Sequence, residues 1–161
     1  MNQIIVDLNN LIIQKKDLLS ATAEKIIRAL NKELTERYPE DGANHFRLDA
    51  DDVEEGRGAF YIAFINSEPV GCGAIRLIDS TTAEIKRMYV APHARGLGIG
   101  GNILMTLELE AMRLGVDKVV LETGERQHEA LNLYTKAGFV CIPSFGEYVS
   151  SPLSVCMGKN I

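Results

Sequence analysis

The chain predicts a mixed α/β fold: one sheet of about six or seven strands with helices on both faces. Three observations carry that prediction. Three strand signals follow one another through two tight turns between residues 59 and 90, which reads as an antiparallel meander. A glycine-rich turn at 95–101 opens a helix and a strand signal follows it, so the strands flanking that helix are expected to run parallel. A second helix signal and two last strand signals complete the chain.

Each element has a local reason. Residues 3–15 hold two apolar runs, 4–6 and 11–13, of which at least one is expected to be a strand. Ser20 is placed to cap a helix whose Ala23, Ile26, Ile27, Leu30, Leu34 and Tyr38 share one face, and Pro39 stops it. Residues 40–57 carry seven acids (Glu40, Asp41, Asp49, Asp51, Asp52, Glu54, Glu55) and read as a solvated loop with a short helix. The meander strands are 59–65, 70–78 and 83–90, with Gly71 and Gly73 marking a close approach by a neighbour. The helix after the glycine turn buries Ile103, Leu104, Leu107, Ala111 and Leu114 and ends at Gly115. A strand at 116–122, a helix at 129–137 closed by Gly138, and strands at 139–142 and 154–159 complete the order.

The 161 residues favour one domain spanning 1–161. Hydrophobic residues make up 46% and charged residues 24%, which excludes wholesale disorder. Seventeen Lys+Arg against 22 Asp+Glu leave a net charge of −5, so the basic footprint of a nucleic-acid binder is missing. No apolar run reaches membrane-spanning length, and Asp7 interrupts the N-terminal apolar stretch, which lacks a basic flank. No membrane partner is expected. Cys72, Cys141 and Cys156 are odd in number and far apart. They suggest neither a disulfide framework nor a metal site, and point to a reducing, cytoplasmic setting.

Residues 96–101 match G-x-G-x-x-G, and Glu122 ends the next strand. A dinucleotide fold is excluded on three grounds. Five residues, 91–95, separate the strand from the glycines; an antiparallel meander precedes them; only 39 residues follow Glu122. What remains is the physics of an anion site: N–H groups at a helix N-terminus, no Cβ in the way, and the charge of Arg95 beside them.

The stretch beginning at Ala83, AEIKRMYVAPHARGLGIGGNILMTLELEAMRLG, resembles the acetyl-CoA-binding core of the GNAT acetyltransferase superfamily. Its Q/R-x-x-G-x-G/A pattern is met by Arg95, Gly98 and Gly100. The later GERQHEALNLYTKAGF is similar to the family's second motif, L-Y-x-x-x-G-F, with Leu133, Tyr134, Gly138 and Phe139. One departure is Gln127, three residues before Ala130, where many members carry Asn.

The resemblance implies a fold in which the strand before the glycine loop splays from its parallel neighbour. The pantetheine arm of acetyl-CoA would then pair with the backbone of Met88, Tyr89 and Val90. The pyrophosphate would lie against Arg95 and the N–H groups of Gly96, Leu97, Gly98, Ile99, Gly100 and Gly101. The implied reaction is direct acetyl transfer to a primary amine of a small molecule, with no metal. A protein or peptide acetyltransferase and a non-enzymatic CoA-binding regulatory module are the alternatives. An ammonium must lose a proton first. Glu84 is the candidate base, against a salt-bridge role, with Glu122 and Glu147 as alternatives. Tyr134 is the candidate donor to the departing thiolate, against a role as a core aromatic. The cysteines read as buried structural thiols, and His93 and His128 as surface residues. The segments 40–57 and 144–152 are candidate roofs over the site. The net charge and acidic segment suggest a cationic acceptor; Arg76, Lys86 and Arg87 are the groups that would instead hold a substrate carboxylate. A homodimer through the C-terminal strands is compatible with the sequence.

Overall fold

The computed structural model describes residues 8–40 and 47–161. The apolar run 4–6 and Asp41 lie outside these. In chain order the elements are β1 (Leu11–Lys15), α1 (Ala21–Arg37), β2 (Gly58–Ile65), β3 (Glu68–Leu77), β4 (Thr82–Val90), α2 (Ile99–Arg113), β5 (Lys118–Gly124), α3 (His128–Lys136), β6 (Val140–Cys141) and β7 (Ser154–Asn160). Short 3-10 turns lie at Leu8–Asn10, Ala50–Val53, Pro92–Ala94 and Gly146–Ser150. The seven strands form one sheet in the order β1-β2-β3-β4-β5-β7-β6. Every pairing is antiparallel except β4 with β5. The expected strand count, meander and parallel pair are all present. The last hairpin is shorter than expected: β6 is two residues, because Phe139 turns into the core instead of joining the strand.

Strand alternation sorts the two faces. Ala59, Tyr61, Ala63, Ile75, Ala83, Ile85, Val119 and Leu121 pack under α2, with Ile99, Ile103, Leu104 and Leu107 from the helix. Phe60, Ile62, Cys72, Ala74 and Tyr89 face the other way, against Ala23, Ile26 and Leu30 of α1. The Ser20 hydroxyl caps α1 by accepting from the Ala23 N–H at 3.2 Å. Gly71 and Gly73 lie where α2 crosses the meander. A Cβ at Gly73 would come within 2.9 Å of both Ile103 and Leu107, so the helix sits on the sheet only because those side chains are missing.

One irregularity positions the site. Parallel pairing of β4 with β5 runs from Thr82–Lys118 to Ile85–Leu121 and stops, although β4 continues to Val90. The register of β3 on β4 shifts between Cys72 and Ala74, and Arg87 takes the left-handed conformation at φ +58°. This is a β-bulge, and the added twist turns the end of β4 away from β5. Beyond it β4 stays paired with β3 through Tyr89 and Val90, while β5 stays paired with β7 as far as Gly124. Each strand keeps its outer partner, so a wedge opens between them.

Candidate active site

Two cavities meet at that wedge. The larger, about 400 Å³, is walled by Met88, Tyr89 and Val90 of β4, by the loop and first turn of α2, and by Ala130, Leu133 and Tyr134 of α3. Gly96 and Gly98 both have left-handed backbones, at φ +79° and +84°, and a Cβ at either would meet nothing within 4 Å. Their conformation, not crowding, requires glycine, and the space in front of them is open. The first bond of the α2 ladder runs from the Asn102 N–H to the Gly98 carbonyl. The N–H groups of Ile99, Gly100 and Gly101 therefore precede the ladder, at the positive end of the helix dipole.

Of the cofactor-site residues expected from the sequence, Met88, Tyr89, Val90, Arg95, Gly96, Gly98, Ile99, Gly100 and Gly101 all line this cleft. Leu97 turns its side chain to the core. Arg95 is fixed from three sides. Its Nε donates to the Val90 carbonyl at 2.9 Å, its Nη2 reaches Glu33 of α1 at 2.5 Å, and the guanidinium lies over the Tyr89 ring. The arginine thus ties the glycine loop to the free end of β4 and to α1. The cleft suits an extended diphosphate with an amide-bearing arm: unpaired strand backbone on one wall, helix N–H groups and a guanidinium at the end.

The second cavity, about 100 Å³, lies on the α1 face of the sheet. Leu30, Leu34 and Tyr38 form one wall and Tyr148, Ser151 and Leu153 another. From the strands come Lys86, Arg87 and Glu122. The two cavities share Met88, Gln127 and Tyr134. Tyr134 is buried and packs edge-on to Phe139 at 5.9 Å between centroids. Among the described residues no side chain hydrogen-bonds its hydroxyl. Burial raises the phenol well above its ordinary pKa, with Glu122 adding to the rise, so the group is a neutral O–H at any working pH.

The carboxylates separate by environment. Glu84 is 1% exposed, and its two oxygens are taken. Oε1 accepts from Arg76 Nε at 2.9 Å across the β3–β4 ladder, and Oε2 accepts from the Tyr148 hydroxyl at 2.6 Å. Arg76 also pairs with Asp52 at 3.5 Å. Glu84 therefore anchors the Gly146–Ser150 turn that walls the cavity. Glu122 is half-buried and lines the cavity itself. Loss of solvent pushes its pKa up to about 7; Ser154 bonding opposes this and the charge of Glu84 adds to it. It is the carboxylate best poised to exchange a proton near neutral pH. Lys86 follows the last parallel pair on β4 as Glu122 does on β5, so the two flank the mouth of the wedge.

Among the described residues, the acidic segment supplies no lining residue to either cavity. Three of its acids pair with cations of other elements: Asp52 with Arg76, Glu55 with Lys15 and Glu40 with Arg126. His93 and His128 are exposed. Cys72 and Cys156 are buried and Cys141 is exposed, all three as free thiols. Among the described residues no group of three or more His, Cys, Asp or Glu side chains could hold a metal. Sequence reasoning missed Tyr148 and Tyr38. The sequence offers the 144–152 loop as a candidate roof, but nothing local marks Tyr148 as the residue that binds Glu84. Tyr38 docks on Gly124, where a Cβ would overlap its hydroxyl, and that hydroxyl accepts from the Arg126 N–H at 2.9 Å.

Residues 23–139 match the model of the acetyltransferase (GNAT) family, and the chain belongs to that family. It is 36% identical over 153 residues to an IAA acetyltransferase of Azospirillum brasilense, covering 94% of this chain and 99% of the relative. It is 32% identical over 114 residues to the uncharacterized N-acetyltransferase YsnE of Bacillus subtilis, covering 68% of this chain and 76% of the relative. Among solved structures, a chain from Klebsiella pneumoniae assigned as a candidate acyl-CoA N-acyltransferase superposes with a TM-score of 0.79. It is 31% identical and covers 93% of this chain and 97% of that one. A GNAT acetyltransferase from Elizabethkingia anophelis, solved with acetyl-CoA bound, shares the fold at a TM-score of 0.67 and 23% identity, covering 95% and 99%. The protein is an acetyl-CoA-dependent acetyltransferase.

Proposed function

We propose that the protein transfers the acetyl group of acetyl-CoA directly to the primary amine of a small molecule held beside Glu122. The observation that carries this reading is the junction of the two cavities at Tyr134, with a carboxylate on the acceptor side and a phenol between them. The acceptor enters as an ammonium. Glu122 takes one proton, the nitrogen lone pair attacks the thioester carbonyl, and the C–S bond breaks as the N–C bond forms. As Tyr134 passes its hydroxyl proton to the departing sulfur, the second nitrogen proton passes to the tyrosine oxygen, so the phenol is restored and Glu122 alone holds the proton that is released to solvent. The products are an N-acetyl amide and CoA thiol. Glu84, the candidate base from sequence, serves this scheme as a positioning residue, since Arg76 and Tyr148 occupy its oxygens.

The cavity of about 100 Å³ beneath α1 and the Gly146–Ser150 turn supports a small acceptor over a peptide. The free thiols suit a cytoplasmic enzyme, and no helix among the described residues is long and apolar enough to cross a membrane. The exposed edge strand β6 is where a homodimer through the C-terminal strands would form. Thiol release from acetyl-CoA, followed with small amines and with lysine-containing peptides, tests the reading. Turnover is expected with small amines, and turnover confined to peptides would overturn it.

A further inference from the structure

Among the described residues, the charged side chains that line the acceptor cavity are two cations and one anion: Lys86, Arg87 and Glu122. Resting on the reading above, we propose that the acceptor is an amino acid, its ammonium at Glu122 and its carboxylate between Lys86 and Arg87, with an apolar side chain against Leu30, Leu34 and Leu153.

Lys86 is 8% exposed. A buried ammonium needs anionic or strongly polar partners. Its carboxylate partner is Glu147, at 3.4 Å, well beyond the ~2.7–2.9 Å of a close charge-assisted bond. The Tyr148 ring lies 5.9 Å from the same nitrogen. The ammonium is thus held between Glu147, itself half-exposed on the outer turn, and the charge of Glu122 across the mouth of the wedge. Arg87 stands next in sequence, and its left-handed bulge carries it to the same cavity. Its Nη1 donates to Asn31 Oδ1 at 3.1 Å, which orients a guanidinium having five donors. Burial lowers its pKa from the ordinary arginine value, so this charge also gains from an anion.

The geometry separates classes of acceptor. A zwitterion places each charge beside its opposite. A polyamine reaching past Glu122 sets a second ammonium beside Lys86 and Arg87, where like charges repel. The acids of the 49–55 segment give no relief, since none of them lines the cavity. The cationic acceptor suggested by net charge therefore yields to one bearing a carboxylate.

The test uses matched probes at pH 8: L-leucine, L-methionine and L-phenylalanine, each with its carboxamide and its decarboxylated amine, and putrescine as a dication. Thiol release with the full chain gives kcat/KM for each. The amino acids are expected to exceed their carboxamides and amines by at least 30-fold. Lys86→Gln is expected to shrink the acid-to-amide ratio at least tenfold, and Arg87→Lys to shrink it less. Melting temperature and calorimetric CoA binding are measured for each variant, so that a folding defect is told apart from a lost carboxylate contact. Equal or better turnover of carboxamides, amines or putrescine overturns the carboxylate assignment and leaves the small-amine reading standing. No turnover of any probe by a CoA-binding enzyme overturns both.

Discussion

Replacing Glu122 by Gln keeps the size of the side chain and its capacity to bond Ser154, and removes the proton acceptor. With a pKa near 7, the wild-type carboxylate is ionised in about one molecule in ten at pH 6 and about nine in ten at pH 8. An alkyl amine titrating near ~10.4 is free of its proton in only roughly one molecule in 2,500 at pH 7. The wild type accepts the abundant ammonium and deprotonates it in place. Its kcat/KM should rise about tenfold from pH 6 to pH 8 and level off above that. The variant must wait for free amine from solution. Its kcat/KM should fall roughly 100–1000-fold at pH 7 and climb about tenfold per pH unit without a break near 7, so that the deficit closes in alkali. Steady-state thiol release between pH 6 and 9.5, with constant ionic strength, measures both curves. A Gln variant with the wild-type rate and the same inflection near pH 7 would refute the role of Glu122 and return proton removal to water or another group.

Tyr134→Phe retains the ring contact with Phe139, so its melting temperature should stay within about 1 °C while kcat falls roughly 10–100-fold and the KM for acetyl-CoA changes little. Glu84→Gln weakens the bonds to Arg76 and Tyr148; it should cost about 1–3 kcal/mol in denaturant unfolding and raise the acceptor KM more than it lowers kcat. Glu122 also leaves a mark on stability. Its native pKa lies above the unfolded value of 4.5, so the native state binds the extra proton between pH 4.5 and 7 and loses stability as pH rises through that window. The melting temperature of Glu122→Gln should therefore gain on wild type more at pH 8 than at pH 5. Gly98→Val fills the open space before the helix N-terminus and forces a β-branched residue to φ +84°; CoA should no longer raise the melting temperature of the folded variant.

The cofactor half of the site was legible because its requirements are local. Gly96 and Gly98 are needed for left-handed backbone, and Gly100 and Gly101 open a helix a few residues on. A sequence window shows all four together. The splay was legible only through family resemblance, since its local cause, the bulge at Arg87, falls on a residue that ordinarily avoids that conformation. The acceptor half depends on contacts between distant segments. Strand parity puts Glu84 and Glu122 on one face, but which of them meets solvent is decided by Tyr148, 64 residues from Glu84. The placing of the acidic segment depends on distant contacts in the same way. Its charge is real in sequence, but Asp52, Glu55 and Glu40 pair with Arg76, Lys15 and Arg126 of other elements, none of which lines the acceptor cavity.

In the proposed complex the wedge between β4 and β5 holds the pantetheine arm while the glycine turn holds the diphosphate. Amide chemical shifts of the ¹⁵N-labelled protein, titrated with CoA, test it residue by residue. The largest changes are expected at Met88, Tyr89 and Val90 and across Gly96 to Gly101, with smaller ones at Gln127 and Tyr134, and little at β1 or β6. Saturable binding with shifts centred elsewhere, or with the β4 amides unmoved, would contradict the claim.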